Sequence, residues 1–95
     1  MRIAVDIDGI ICQTEGNDYV NAVPIPENIA RINKLFDEGN TIIYWTARGS
    51  TSGKNWRDFT FHQLKSWGCK CDNIVLGKMS YDIIVDDKAI KISEL

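Results

Sequence analysis

Short apolar runs along this chain alternate with segments in which apolar positions recur every three or four residues. Residues 1–7, MRIAVDI, are β-rich and apolar on both faces near their end, as in a strand inside a parallel sheet. Residues 9–25 read as irregular, with Gly16-Asn17-Asp18 as a turn signal and Pro24 and Pro26 as breakers. Pro26-Glu27 opens a helix, because proline suits the first turn and a carboxylate there complements the helix dipole. Ile29, Ile32, Leu35 and Phe36 share one face of it, and Gly39 closes it. Thr41–Trp45 predicts a second strand, and Lys54–Trp67 a second helix with Trp56, Phe59, Leu64 and Trp67 at near-helical spacing. Phe61 falls off that face. Residues 73–77 (NIVLG) predict a third strand and 81–86 (YDIIVD) a fourth.

This order predicts an α/β domain with a mostly parallel sheet and right-handed crossovers. In such sheets ligands bind outside the carboxyl ends of the strands. Asp6 and Asp8 follow the first strand, Thr46 and Arg48 the second, Lys78 the third, and Asp86-Asp87 the fourth. The topology therefore gathers them at one edge.

Composition narrows the picture modestly. Ninety-five residues make one domain, 1–95, and a net charge of −2 offers no electrostatic footprint for nucleic acid or anionic membranes. No stretch approaches the roughly 20 apolar residues of a membrane span, which makes the cytoplasm the expected location. Cys12, Cys69 and Cys71 are odd in number, and the close pair has no second cluster to complete a zinc site, so they read as reduced thiols. His62 reads as a helix-surface residue. Trp45, Trp56 and Trp67 read as core or subunit contacts, and three tryptophans in so short a chain leave room for a homo-oligomer interface.

The residues with chemistry are the carboxylates. Asp6 and Asp8 in VDIDGI crowd like charges together, a cost repaid by a cation or a reaction, or avoided at an exposed strand end. Three or four carboxylates with no His or Cys beside them suit a hard cation, Mg²⁺ before others. A lysine, a threonine hydroxyl and backbone N–H groups at the same edge suit phosphate oxygens. A carboxylate so placed could attack phosphorus while a second one manages the protons.

DIDG, TARG, a lysine after the third strand and VDDK, in that order, resemble the four motifs of the haloacid dehalogenase superfamily, from Asp6 to Lys88. The resemblance implies a Rossmann-like three-layer sandwich with a mostly parallel sheet. It casts Asp6 as nucleophile, Asp8 as general acid/base, Thr46 as the hydroxyl that binds the phosphoryl group, and Lys78 as the cation steadying nucleophile and phosphate. Asp86 and Asp87 resemble the acidic motif holding Mg²⁺ with Asp6 and the backbone carbonyl of Asp8. Arg48, Gly49, Ser50 and Lys54 are the candidates for binding the substrate's leaving group, against a merely solvated loop. An aspartate at position 8 resembles the phosphatase and phosphotransferase branches. The gaps are too short for a cap domain, which implies an open site. The stretches from Pro24 to Gly49 and from Tyr81 to Ala89 look most like small phosphatases of capsule and surface-sugar biosynthesis, implying a small phosphorylated sugar as substrate.

Three rivals stand beside this. A signalling receiver domain would carry its acceptor Asp after the third strand, where this chain has Leu76-Gly77-Lys78. A polynucleotide 3′-phosphatase would fit an open site but not the acidic charge. A phosphate-binding protein without catalysis would not need the full set of catalytic groups.

Overall fold

The computed structural model describes residues 1–95. Three strands form a parallel sheet in the order β1 (Arg2–Val5), β4 (Thr41–Trp45), β5 (Asn73–Val75). Between β1 and β4 lie a small antiparallel hairpin, β2 (Cys12–Gln13) with β3 (Val23–Pro24), and the helix α1 (Pro26–Asp37). Helix α2 (Arg57–Ser66) connects β4 to β5. The segment after β1 thus holds only the hairpin, with a single 3₁₀ turn at Tyr19–Asn21, and α1, and the segment after β4 only α2, with no inserted cap.

Register explains the core. Ile3, Val5, Ile42, Tyr44 and Ile74 stand on one face of the sheet, in pairs Ile3↔Ile42, Val5↔Tyr44 and Tyr44↔Ile74. Val5, Ile42 and Tyr44 are buried there with Ile29 and Ile32 of α1 and Leu64 of α2. α1 is also tied to the turn that follows α2: the Asn33 side chain donates to the Gly68 carbonyl and accepts from the Lys70 N–H. Both helices lie on the same face, because strands added in sequence across a sheet by right-handed crossovers keep their helices on one side.

The α/β class, the parallel sheet and the absence of a cap are as the sequence suggests. A third layer is not present. The opposite face, carrying Ala4, Ile43, Trp45 and Val75, has no helix over it, and Trp45 and Val75 are exposed.

Local chemistry sets the element ends. Pro26 occupies the first turn of α1, and Gly39, at φ 97°, turns the chain out of it while Asn40 N–H donates back to the Leu35 carbonyl. Helix α2 starts at Arg57, three residues later than its pattern suggests, because the Asn55 side chain accepts the Arg57 N–H and holds a turn there.

One expected element is missing. Residues 81–86 form no strand, and no backbone–backbone hydrogen bond involves residues 79–90. The reason is connection length: a strand joining a parallel sheet needs a crossover of about a dozen residues, and only residues 76–80 separate Val75 from Tyr81.

Candidate functional site

Four segments meet at the carboxyl edge of the sheet. β1 delivers Asp6 and Asp8, β4 delivers Thr46 to Ser50, the turn after β5 delivers Lys78, and the β2–β3 hairpin brings Thr14. They enclose a cleft of about 360 Å³ whose walls include Asp6, Asp8, Arg48, Gly49, Lys54 and Ser80.

Asp6 is the accessible carboxylate. Its side chain is 40% exposed, one oxygen accepts the Ile7 N–H at 2.9 Å, and the other lies 3.5 Å from Lys78 Nζ. Lys78 is itself held on every side. Its N–H donates to the Thr46 carbonyl at 3.0 Å, its carbonyl accepts from Ser50 Oγ at 2.7 Å, and its ammonium sits 5.3 Å from the rings of both Trp45 and Tyr81. A cation so buried, at 8% exposure, beside a single carboxylate is a fixed positive charge for an anion arriving at Asp6.

Asp8 is differently placed. Arg48 grips it in a two-pronged pair, Nε to one oxygen at 3.0 Å and Nη2 to the other at 2.9 Å, and Thr14 Oγ1 donates to it at 2.6 Å. Burial alone would raise the Asp8 pKa, but the hydrogen bonds and charge of Arg48 and the bond from Thr14 outweigh it and hold the carboxyl below its ordinary range. Cys12, beneath it, is pushed up by burial and by the Asp8 charge.

Arg48 is 2% exposed and has further partners: Thr60 Oγ1 at 3.2 Å, Gln63 Oε1 at 2.7 Å, and the face of Tyr19 at 4.7 Å. The sequence offers Arg48 to the substrate; the structure commits its guanidinium to Asp8 and α2. Ser50 likewise bonds Lys78 rather than facing the cleft. Thr46 is fully buried, its hydroxyl accepting the Arg48 N–H at 3.1 Å. Gly49 and Lys54 do reach the cleft wall, and Gly49 adopts φ 82° where a Cβ would run into the Lys54 carbonyl. That position admits no side chain without moving the loop.

Asp86 and Asp87 do not join this set. Both are exposed, and nowhere does the structure bring three His, Cys, Asp or Glu side chains into a group able to hold a metal. Thr14, Tyr19, Thr60 and Gln63 were not among the sequence candidates. Their roles come from contacts such as Gln63 to the Tyr19 carbonyl, across 44 residues, and no local spacing signals them.

No family model matches the chain, and no curated protein does. Solved structures do match. A crystal structure from Vibrio cholerae superposes with TM-score 0.88 at 24% identity, over 98% of this chain and 85% of that one. The crystal structure of D,D-heptose 1,7-bisphosphate phosphatase from B. bronchiseptica, complexed with magnesium and phosphate, superposes with TM-score 0.59 at 20% identity. That match covers 93% of this chain and spans about half, 53%, of the phosphatase. These likenesses show the fold: a small α/β domain built on a parallel sheet.

Proposed function

We propose that this chain is a phosphomonoester hydrolase working through an aspartyl-phosphate on Asp6, with a phosphorylated sugar or sugar acid as substrate. The observation that carries the reading is the Asp6–Lys78 pair. It sets one exposed carboxylate against one fixed ammonium at the mouth of a cleft, on a fold shared with a sugar bisphosphate phosphatase.

An Asp6 oxygen attacks phosphorus, the P–O bond to the leaving group breaks, and the leaving oxygen needs a proton. Water then attacks the aspartyl-phosphate, releasing inorganic phosphate and freeing Asp6. Asp8 serves the protons. Clamped by Arg48 it rests ionised, ready to act as base for the water step. A phosphate dianion entering beside it adds negative charge and raises its proton affinity, which favours its acting as acid in the first step. Lys78 offsets the charge gathering on phosphorus, and the buried Thr46 holds the turn carrying Arg48.

Magnesium is the expected cofactor, as in the heptose bisphosphate phosphatase crystal, but the donors of one chain do not fit it. Asp6 has a carboxylate oxygen and Asp8 a backbone carbonyl to offer, but the Asp8 carboxylate is committed to Arg48 and Thr14, and Asp86 and Asp87 are elsewhere. No helix is long and apolar enough to cross a membrane, and three free thiols suit the cytoplasm.

The test is phosphate release from a panel of sugar phosphates, nucleotides and a 3′-phosphorylated oligonucleotide, with Mg²⁺ and with chelator. The expected result is chelator-sensitive release favouring a sugar phosphate, and its loss by at least about a thousand-fold in Asp6→Asn. An Asp6→Asn protein with full activity overturns the assignment. Preference for the oligonucleotide overturns the substrate and keeps the chemistry.

A further inference from the structure

The C-terminal segment and the edge of β1 are complementary and unused. β1 is the outer strand of its sheet, pairing only with β4, so its other edge presents free N–H and C=O groups. Residues 81–86, YDIIVD, have strand composition, yet Ile83 is 82% exposed and Val85 96% exposed. A strand-like apolar segment with no backbone–backbone hydrogen bond, in a chain whose sheet has an unpaired edge, is an unfinished sheet.

The chain cannot finish it alone and also assemble the site. Lys78 is pinned over β4 through its bond to the Thr46 carbonyl, and three residue steps from it to Tyr81 reach at most about 11 Å. A parallel strand on the open edge of β1 starts at the far end of the sheet. It lies about 10 Å sideways and about 16 Å down, given strand spacing and rise. Running antiparallel instead, the segment could begin at the near end, but Asp86 and Asp87 would finish about 16 Å away from Asp6. In one chain, either the strand or the site is lost.

We propose that Tyr81–Asp86 adds as a parallel strand to the free β1 edge of a second copy, reciprocally, so that each site takes Asp86 and Asp87 from its neighbour. The two strands end alike, in Val5-Asp6 and Val85-Asp86, so pairing valine with valine brings Asp86 level with Asp6. The short connection is what drives the exchange, since strained hinges favour swapping over self-closure. The residues that follow travel too: Ile92, whose carbonyl accepts from Arg31 of α1 at 3.0 Å, makes that contact on the second copy's helix. Three carboxylates, Asp6 with the neighbour's Asp86 and Asp87, then form the oxygen donor set that one chain lacks. The role of those carboxylates rests on the phosphatase reading; the exchange does not.

Two measurements test it. Sedimentation equilibrium is expected to show dimers or multiples of them for the wild type and monomers for Val85→Pro, because proline removes a ladder N–H. A monomeric wild type, or a Val85→Pro protein that associates as well as the wild type, overturns the exchange. The second measurement mixes two inactive proteins, Asp6→Asn and the double variant Asp86→Asn/Asp87→Asn, after co-refolding. Exchange leaves one intact site in each mixed dimer, so about a quarter of wild-type phosphate release returns at equal mixing. An active wild type whose mixed variants recover nothing overturns completion in trans. A wild type inactive on every substrate sinks the phosphatase reading instead, while sedimentation still decides the exchange.

Discussion

Two parts of the carboxyl edge contrast sharply. Around Asp8 the buried polar groups are spoken for: Arg48 is 2% exposed and bonds Asp8, Thr60 and Gln63 at once. From Met79 to Ile90 the backbone bonds to no other backbone group, and Val85 is almost wholly in solvent. The first part is rigid because a charged group in a buried place must have all its partners. The second is free because its apolar side chains have found none. A site built from both halves has its geometry set in one and its assembly left open in the other.

Removing one isoleucine from each half is the harshest test of that contrast. Ile32→Ala, from a fully buried position, should cost about 2–5 kcal/mol in urea unfolding. Ile83→Ala should change stability by no more than about 0.5 kcal/mol when measured dilute enough for the chain to be monomeric. Equal losses at the two positions would mean that the segment is packed within the monomer.

Arg48→Met should follow closely, at about 3 kcal/mol, the lower end for breaking a buried pair because the Asp8 side chain keeps 26% exposure. Its signature is in the pH dependence. In the wild type the folded Asp8 pKa lies below its ordinary value of 3.8, so the contribution is present above that value and lost as pH falls through the lower, folded one. Without Arg48, burial is opposed only by the bonds from Thr14 and Cys12, so the stability lost on acidification through the Asp8 titration should shrink. Urea midpoints measured between about pH 3 and pH 7 would show the flatter curve. Parallel curves for the two proteins would mean that Arg48 does not govern Asp8.

Much of the rigid half was legible because its signals are local. The run Thr41–Trp45 is a strand at the expected residues, and Pro26 and Gly39 bracket α1 as their backbone preferences require. The strand-end positions of Asp6, Asp8, Thr46 and Lys78 follow from the α/β order. The β2–β3 hairpin was not legible, since two-residue strands carry no period. The roles of Thr14 and Gln63 were not legible either, because they depend on contacts that only the closed fold creates. The segment 81–86 misleads for the opposite reason: its composition is that of a strand, and what denies it a place is the five-residue connection before it. Composition says what a segment prefers; connection length says where it can go.

The smallest effect tests whether the rigid half is rigid throughout. Tyr44 is buried at the centre of the sheet, yet its hydroxyl has no hydrogen-bond partner. Burial, with Cys69 and Cys71 beside it, drives its pKa far up, so the phenol stays neutral. The Cys69 thiol is the polar group nearest in kind, itself pushed up to about 11 by burial, but it does not reach hydrogen-bond geometry. Tyr44→Phe removes an unsatisfied oxygen and leaves an oxygen-sized gap. The two terms oppose, so the change should lie between no effect and about 1 kcal/mol of stabilisation in urea unfolding. A loss of about 1 kcal/mol or more would mean that the hydroxyl does bond in solution, with Cys69 the group to replace next, and that the core beneath the site is tied by one more contact than the structure shows.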